Sequence, residues 1–284
     1  MLAAVSARAQ QVDWVAVDRA MGRRGQEESG GVHKYSMPRT DLRVTVEGVR
    51  LEPALALGSW LAMEAKPDGG VLATGDLVLE QDEVGPVMSS LQKAGILQTA
   101  LHNHLLFERP RVMFMHVHGE GDPLAIARGI HDALAHTGTP TATAAAGRTA
   151  RIADLDTAEI ALALGHHGSV SGGVYKVAIQ RAEVIRSGGV DVPASMGTGI
   201  GIGFQPTGGG KAAIAGDFVL LAGEVNPVIR ALREHGILVT ALHNHMLFDD
   251  PRLFFLHFWA HDDAVALARG LRAALDHLAG AAEP

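Results

Sequence analysis

The spacing of apolar residues along the chain changes in a set order, and then the order repeats. A short helix is predicted over residues 12–21. Extended segments rich in β-branched residues follow at 32–37, 43–46, 56–63 and 71–79. Helical spacing returns over 83–93, where Val84, Val87, Met88 and Leu91 recur three and four apart. Pro86 falls in that helix's first turn, where a missing N–H is harmless, and Gly95 ends it. Two alternating segments come next, Thr99-Ala-Leu-His102-Asn-His104 and Val112-Met-Phe-Met-His116-Val-His118. The last helix opens at Asp122-Pro123, a capping residue followed by proline at the first helical position, and runs to about Ala135.

The same series begins again 141 residues later. Residues 97–117 lie over 238–258 with 13 of 21 positions identical. That offset also carries Gly75-Asp76 onto Gly216-Asp217 and Glu83-Val84-x-Pro86-Val87 onto Glu224-Val225-x-Pro227-Val228. With a one-residue gap, Gly30-Gly31-Val32-His33-Lys34 matches Gly172-Gly173-Val174-Tyr175-Lys176. Self-similarity of this length predicts a duplicated α+β fold, each copy a mostly antiparallel sheet with flanking helices. Copy one spans 12–136 and copy two 151–279. They are joined by a low-complexity linker at 137–150 that places the boundary near residue 145. Residues 1–11 read either as the tail of a secretory signal, with Ala7-Arg8-Ala9 in the small-x-small form of a cleavage site, or as a frayed terminus.

Within a strand, residues two apart share a face, so His102 pairs with His104 and His116 with His118. Pro110 lies midway between the two segments. A hairpin symmetric about it sets His104 against His116 and His102 against His118, unless a bulge shifts the register. Copy two offers His243, His245 and His257; Trp259 replaces the fourth histidine, and His261 follows two residues on. Neutral imidazole is the commonest protein metal ligand, and three on a rigid sheet leave a coordination position open. The expected cofactor is therefore a divalent metal, zinc favoured, held by His102, His104 and His116 and by His243, His245 and His257. This allows two sites or one shared between the copies, with His118 and His261 as auxiliaries. Orienting carboxylates are sought at Asp76, Asp217, Glu83 and Glu224. Arg111 and Arg252, each after a proline, are candidates for gripping an anion. Each of these has a plainer reading: histidines bonded to backbone, Gly-Asp turns, glutamates favouring a helix N-terminus, and solvated arginines.

Composition narrows the field. A formal net charge of −7 without clustered Lys and Arg removes the electrostatic footprint of a nucleic-acid partner. This also weighs against a nuclease reading of Leu-His-Asn-His. The chain has no cysteine, which excludes disulfides, thiolate ligands and thiol nucleophiles. No apolar run reaches the ~20 residues of a membrane span. A 47% hydrophobic and 19% charged composition belongs to a packed protein. Gly199-x-Gly201-x-Gly203 lacks the strand–turn–helix context of a dinucleotide loop, so close strand packing explains it better. There is no nucleophile elbow and no helical His-Glu-x-x-His.

Gly-Val-x-Lys, Gly-Asp-x-Val-Leu, Glu-Val-x-Pro-Val, Thr-Ala-Leu-His-Asn-His and Pro-Arg-x-x-Phe-x-His together resemble the LppY/LpqO-type bacterial family, over about residues 12–278. The resemblance implies a duplicated domain and an exported protein, periplasmic or secreted, with a cytoplasmic location as the alternative. It implies no reaction, and the lipid anchoring of some members has no cysteine here to use. Two functions follow. One is an exported metal-binding protein acting as a metal-dependent hydrolase. The other is a non-catalytic extracytoplasmic protein that binds a small molecule or an anion, its histidines structural. Whether the chain is an enzyme, and its oligomeric state, stay open at this point.

Overall fold

The structure, a computed structural model, describes residues 12–141, 152 and 154–278. The proposed signal remnant at 1–11 and most of the proposed linker lie outside the described residues. Copy one contains helix α1 (Trp14–Met21), strands β1 (Val32–Pro38), β2 (Gly58–Ala65) and β3 (Val71–Glu80), helix α2 (Val84–Lys93), strands β4 (Leu97–His102) and β5 (Val112–Gly121), and helix α3 (Pro123–Leu134). Copy two repeats them as α4 (Thr157–Leu164), β6 (Val174–Ile179), β7 (Ile200–Gly208), β8 (Lys211–Leu220), α5 (Val225–Glu234), β9 (Leu238–His243), β10 (Phe254–Asp263) and α6 (Ala264–Leu275). The likeness reaches the helix ends. Asp13 and Asp156 each accept a first-turn backbone N–H, and left-handed Gly22 and Gly165 terminate the helices.

Both sheets are antiparallel, each with a short edge strand first. Copy one then runs β1-β2-β3-β5-β4, and copy two the equivalent β6-β7-β8-β10-β9. In β3, nine successive residues are buried, so both faces of the sheet are covered. Val71, Ala73, Leu77 and Leu79 point to one face and pack with Val17 of α1, Val87 of α2 and Ile130 of α3. The opposite parity points at copy two. Val78 joins a core with Ala213, Ala215 and Trp259, and Leu72 joins one with Val192, Met196 and Met246. The result is four layers, helices–sheet–sheet–helices, with the two sheets face to face.

The plainer turn reading of the two Gly-Asp pairs is corrected, and the expectation of close strand packing in the glycine-rich segment is met. Gly75-Asp76 and Gly216-Asp217 are mid-strand, not turns. Glycine is needed there by close approach: a Cβ on Gly216 would stand 2.0 Å from the Gly201 carbonyl oxygen, and one on Gly75 would stand 2.8 Å from that of Trp60. The glycine-rich segment of copy two is likewise strand, where a Cβ on Gly203 would meet Leu55 at 2.8 Å.

Candidate metal centre at the repeat junction

The β4–β5 register differs from the symmetric hairpin. His116 faces Ala100 and His102 faces Phe114, because Thr99 is an extra residue bulged out of the ladder. Copy two does the same, with His257 opposite Ala241, His243 opposite Phe255 and Thr240 as the extra residue. His104 and His245 lie just past the strand ends. Their rings stack on Phe114 and Phe255, with centroids 3.4 and 3.6 Å apart. Asn103 and Asn244 brace these turns, donating from Nδ2 to the carbonyls of Leu105 at 3.0 Å and Leu253 at 2.9 Å.

Face-to-face packing of the sheets brings the two sets of histidines into one cluster. His102 stacks on His243 at 3.5 Å, His104 on His257 at 3.8 Å and His116 on His245 at 3.6 Å. Exchanging the copies maps the first pair onto itself and the other two onto each other, as a pseudo-two-fold axis through the His102–His243 contact requires. Ring nitrogens of His102, His104, His116 and His245 lie within 4.8 Å of one another, and so do those of His102, His243 and His257. Thr240 of copy two also donates its hydroxyl to the His104 carbonyl.

The hydrogen bonding of these rings is lopsided. In all six, Nε2 is buried and has no hydrogen-bond partner among the described residues. Nδ1 faces a backbone carbonyl in three: Asn103 for His102 at 3.3 Å, Asn244 for His243 at 3.4 Å and Gly216 for His257 at 3.1 Å. A carbonyl only accepts, so it selects the Nδ1–H tautomer and leaves the Nε2 lone pair free. Burial keeps the rings neutral. It pushes His102 down to about 3, helped by repulsion from His243, and His243 down to about 4. The other four are held well below the usual histidine range by burial and then by neighbouring imidazoles.

Asp76 pairs across the ladder with His116, and Asp217 with His257. The Asp76 carboxylate oxygens stand 3.7 Å from His116 Nε2 and 3.9 Å from His104 Nε2. These spacings fit an ion pair, but burial holds both partners neutral, so they are close polar contacts only. Burial and the nearby Asp217 push Asp76 up to about 8, and burial pushes Asp217 up to about 7. Both aspartates, with His104, His116, His245 and His257, line one cavity of about 590 Å³ between the sheets.

The other sequence candidates lie elsewhere. His118 is engaged by Glu120 at 3.3 Å, and His261 by the Thr207 hydroxyl at 2.9 Å. Trp259, at the position of His118, donates to Glu47 at 2.9 Å and locks copy two onto copy one. Glu83 takes a bidentate bond from the buried Arg39, at 2.7 and 3.0 Å, and Glu224 one from Arg181, at 2.9 and 3.0 Å; neither is turned to the histidines. Arg252 bonds Asp249 of its own loop at 2.8 Å, and Arg111 stands 4.0 Å from Glu108. Sequence reasoning passed over Lys34 and Lys176, which line the cavity. Their signal was the repeated Gly-Val-x-Lys.

Fold and site define a class: a duplicated α+β protein with one histidine cluster at the pseudo-two-fold junction of its copies. The chain belongs to the family described as "Domain of Unknown Function (DUF1259)", whose profile matches twice, over residues 15–136 and 158–277. Among the curated proteins none matches the chain. Of solved structures, EtuB from Clostridium kluyveri is 9% identical with 89% of this chain and 88% of that one covered, at a TM-score of 0.21. The trimeric bacterial microcompartment shell protein PduB is 12% identical with 89% of each chain covered, at 0.22. Both TM-scores are too low to define a shared fold or to carry a functional argument.

Proposed function

We propose that this chain binds a divalent transition metal, zinc favoured, between its two copies, and uses it for hydrolysis of a small molecule. The observation that carries the metal reading is the set of six buried imidazole Nε2 atoms without partners. A buried acceptor left unpaired costs about 1–3 kcal/mol, and six converging at one place call for something to satisfy them. The set His102, His104, His116 and His245 takes ligands from both copies. His243 and His257 complete a second set that shares His102, so one or two ions fit.

Bound metal would supply a Lewis acid and an acidified water. Asp76 and Asp217 face the same cavity, and a carboxylate titrating near neutrality suits proton transfer there. The Nδ1 bonds to backbone carbonyls orient the rings, the part that outer partners play around metal-bound histidines. The LppY/LpqO-type resemblance extends this reading to an exported protein, which cell fractionation with antibody detection tests; a signal confined to the cytoplasm refutes export.

The metal reading is tested by melting the full chain with and without chelator. Binding to the folded state adds about 2.7 kcal/mol at a hundredfold excess over Kd, several degrees of melting temperature. Chelator is expected to lower the melting temperature by that much and added zinc to restore it, while His104→Ala with His245→Ala abolishes the response. Indifference to chelator and to zinc, manganese, nickel and iron refutes metal binding.

A further inference from the structure

Two lysines at equivalent places in the two copies share the histidine-lined cavity. Lys34 lies in β1 and Lys176 in β6, at the fifth position of the matched Gly-Gly-Val-x-Lys segments. Their neighbours Tyr35 and Tyr175 pack into the two helix-side cores, so strand alternation turns both lysines to the opposite faces, the ones the sheets present to each other. Both line the cavity of about 590 Å³, the range typical of small-molecule sites.

The two ammonium groups are in different states. Lys34 donates to the Ser195 carbonyl at 2.8 Å, stands 4.7 Å from the centre of the Trp60 ring and is attracted by Glu28. Lys176 has no hydrogen bond and no ion pair among the described residues, and its side chain is exposed. Partial desolvation by the surrounding protein lowers the pKa of both, of Lys176 although the residue is solvent-exposed, and Lys34 also feels repulsion from Lys176, so the charges are near enough to oppose each other across the space. Asp76 and Asp217, on the same cavity, form no ion pair with either lysine among the described residues. Glu28 also lines the cavity and attracts Lys34, while Lys176 has no ion-pair partner among the described residues.

We propose that Lys34 and Lys176 form an oxyanion site, one lysine from each copy, that seats the phosphoryl or carboxylate group of a small-molecule ligand in the cavity beside the histidines. Lys34 is pre-positioned by Ser195 and Trp60, and Lys176 closes on the ligand from the other sheet. The site stands on the lysines and the cavity alone and does not require a bound metal. The role sought at sequence level in Arg111 and Arg252 falls instead to these two residues, since both arginines are outside the cavity lining.

The test titrates the full chain, freed of metal by chelator and then of chelator by dialysis, with inorganic phosphate and with malonate by calorimetry. At least one is expected to bind, and which binds tighter assigns the phosphoryl or the carboxylate source. Lys176→Gln should weaken binding about tenfold, the worth of one charge-assisted bond, while Lys176→Arg keeps it within about threefold. Lys176 is exposed and unbonded, so both variants should melt like the parent. Zinc uptake, followed separately by equilibrium dialysis, should be the same in all three proteins. Binding of neither anion, or equal binding by Lys176→Gln, overturns the proposal. Failure of zinc uptake alongside intact anion binding overturns the metal reading and leaves this one standing.

Discussion

His116 and His245 illustrate a conflict between stability and function in single side chains. Each ring stacks on the other, is buried, and holds an Nε2 with no partner among the described residues. Without metal that arrangement costs free energy. His116→Leu, similar in bulk and with nothing to satisfy, is expected to leave the metal-free chain at least as stable as the parent in urea unfolding, gaining up to about 1–3 kcal/mol. The same variant should lose most of its stabilisation by zinc. A metal-free loss of more than about 2 kcal/mol would show that the ring is held for structure. The titration of the cluster gives a second prediction for metal-free protein. Histidines with lowered folded pKa stabilise fully above the unfolded value of 6.5, and that contribution is lost as pH falls from 6.5 towards about 3–4. Asp76 and Asp217, raised to about 8 and 7, act oppositely: their contribution is lost as pH rises from 3.8 through those values. Six histidines against two aspartates leave, at pH 5, a net uptake on unfolding of about four protons (6 − 2) from this site. Chelator-treated protein should therefore be most stable at pH ~7, where the protons taken up by the unfolded histidines balance those released by the aspartates, destabilising steeply below it and gently up to pH ~8. A stability curve that keeps rising from pH ~7 to ~8 would contradict the aspartate assignment.

At the scale of the element, the central strands β3 and β8 leave no room for a side chain, at Gly75 and Gly216, against the neighbouring strand of their own sheets. Gly216 crosses Gly201 so closely that no side chain fits, since the atom in the way is a backbone carbonyl oxygen. Gly216→Ala is expected to cost at least about 1–3 kcal/mol and to disturb metal uptake through Asp217 and His257, while Gly223→Ala, with open space around it, stays near neutral. Equal melting temperatures for the two would refute this. The same strands mark what sequence could and could not show. Helix α2 was legible from Val84, Val87, Met88 and Leu91, and α3 from Asp122-Pro123, because caps and 3.6-residue spacing are local. The Thr99 and Thr240 bulges were not, because nothing in Thr-Ala-Leu differs from regular strand; the ladder partner decides which residue is extra. The plainer turn reading of Gly-Asp reflects its commoner use, whereas here a neighbouring strand dictates the glycine. The unbroken apolar run Val71-Leu-Ala carried the sign that β3 is covered on both sides, but what covers it is the other copy, 141 residues away.

At the scale of the whole molecule, duplication gives the protein a junction that neither copy has alone. Strand parity alone put the histidines of each copy on one face, but only the opposition of those faces makes a single cluster. Trp259, replacing the fourth histidine and bonded to Glu47, shows the copies diverging where a residue serves the junction rather than the cluster. The account stands on an ion shared between copies. The direct measurement is anomalous diffraction from a zinc-loaded crystal of the full chain. The account predicts a peak about 2.1 Å from Nε2 of His245 and from Nε2 of at least two of His102, His104 and His116. A second peak, if present, should lie at His243 and His257. Zinc ligated by the histidines of one copy only, zinc bound elsewhere on the chain, or no anomalous peak at the junction would contradict it.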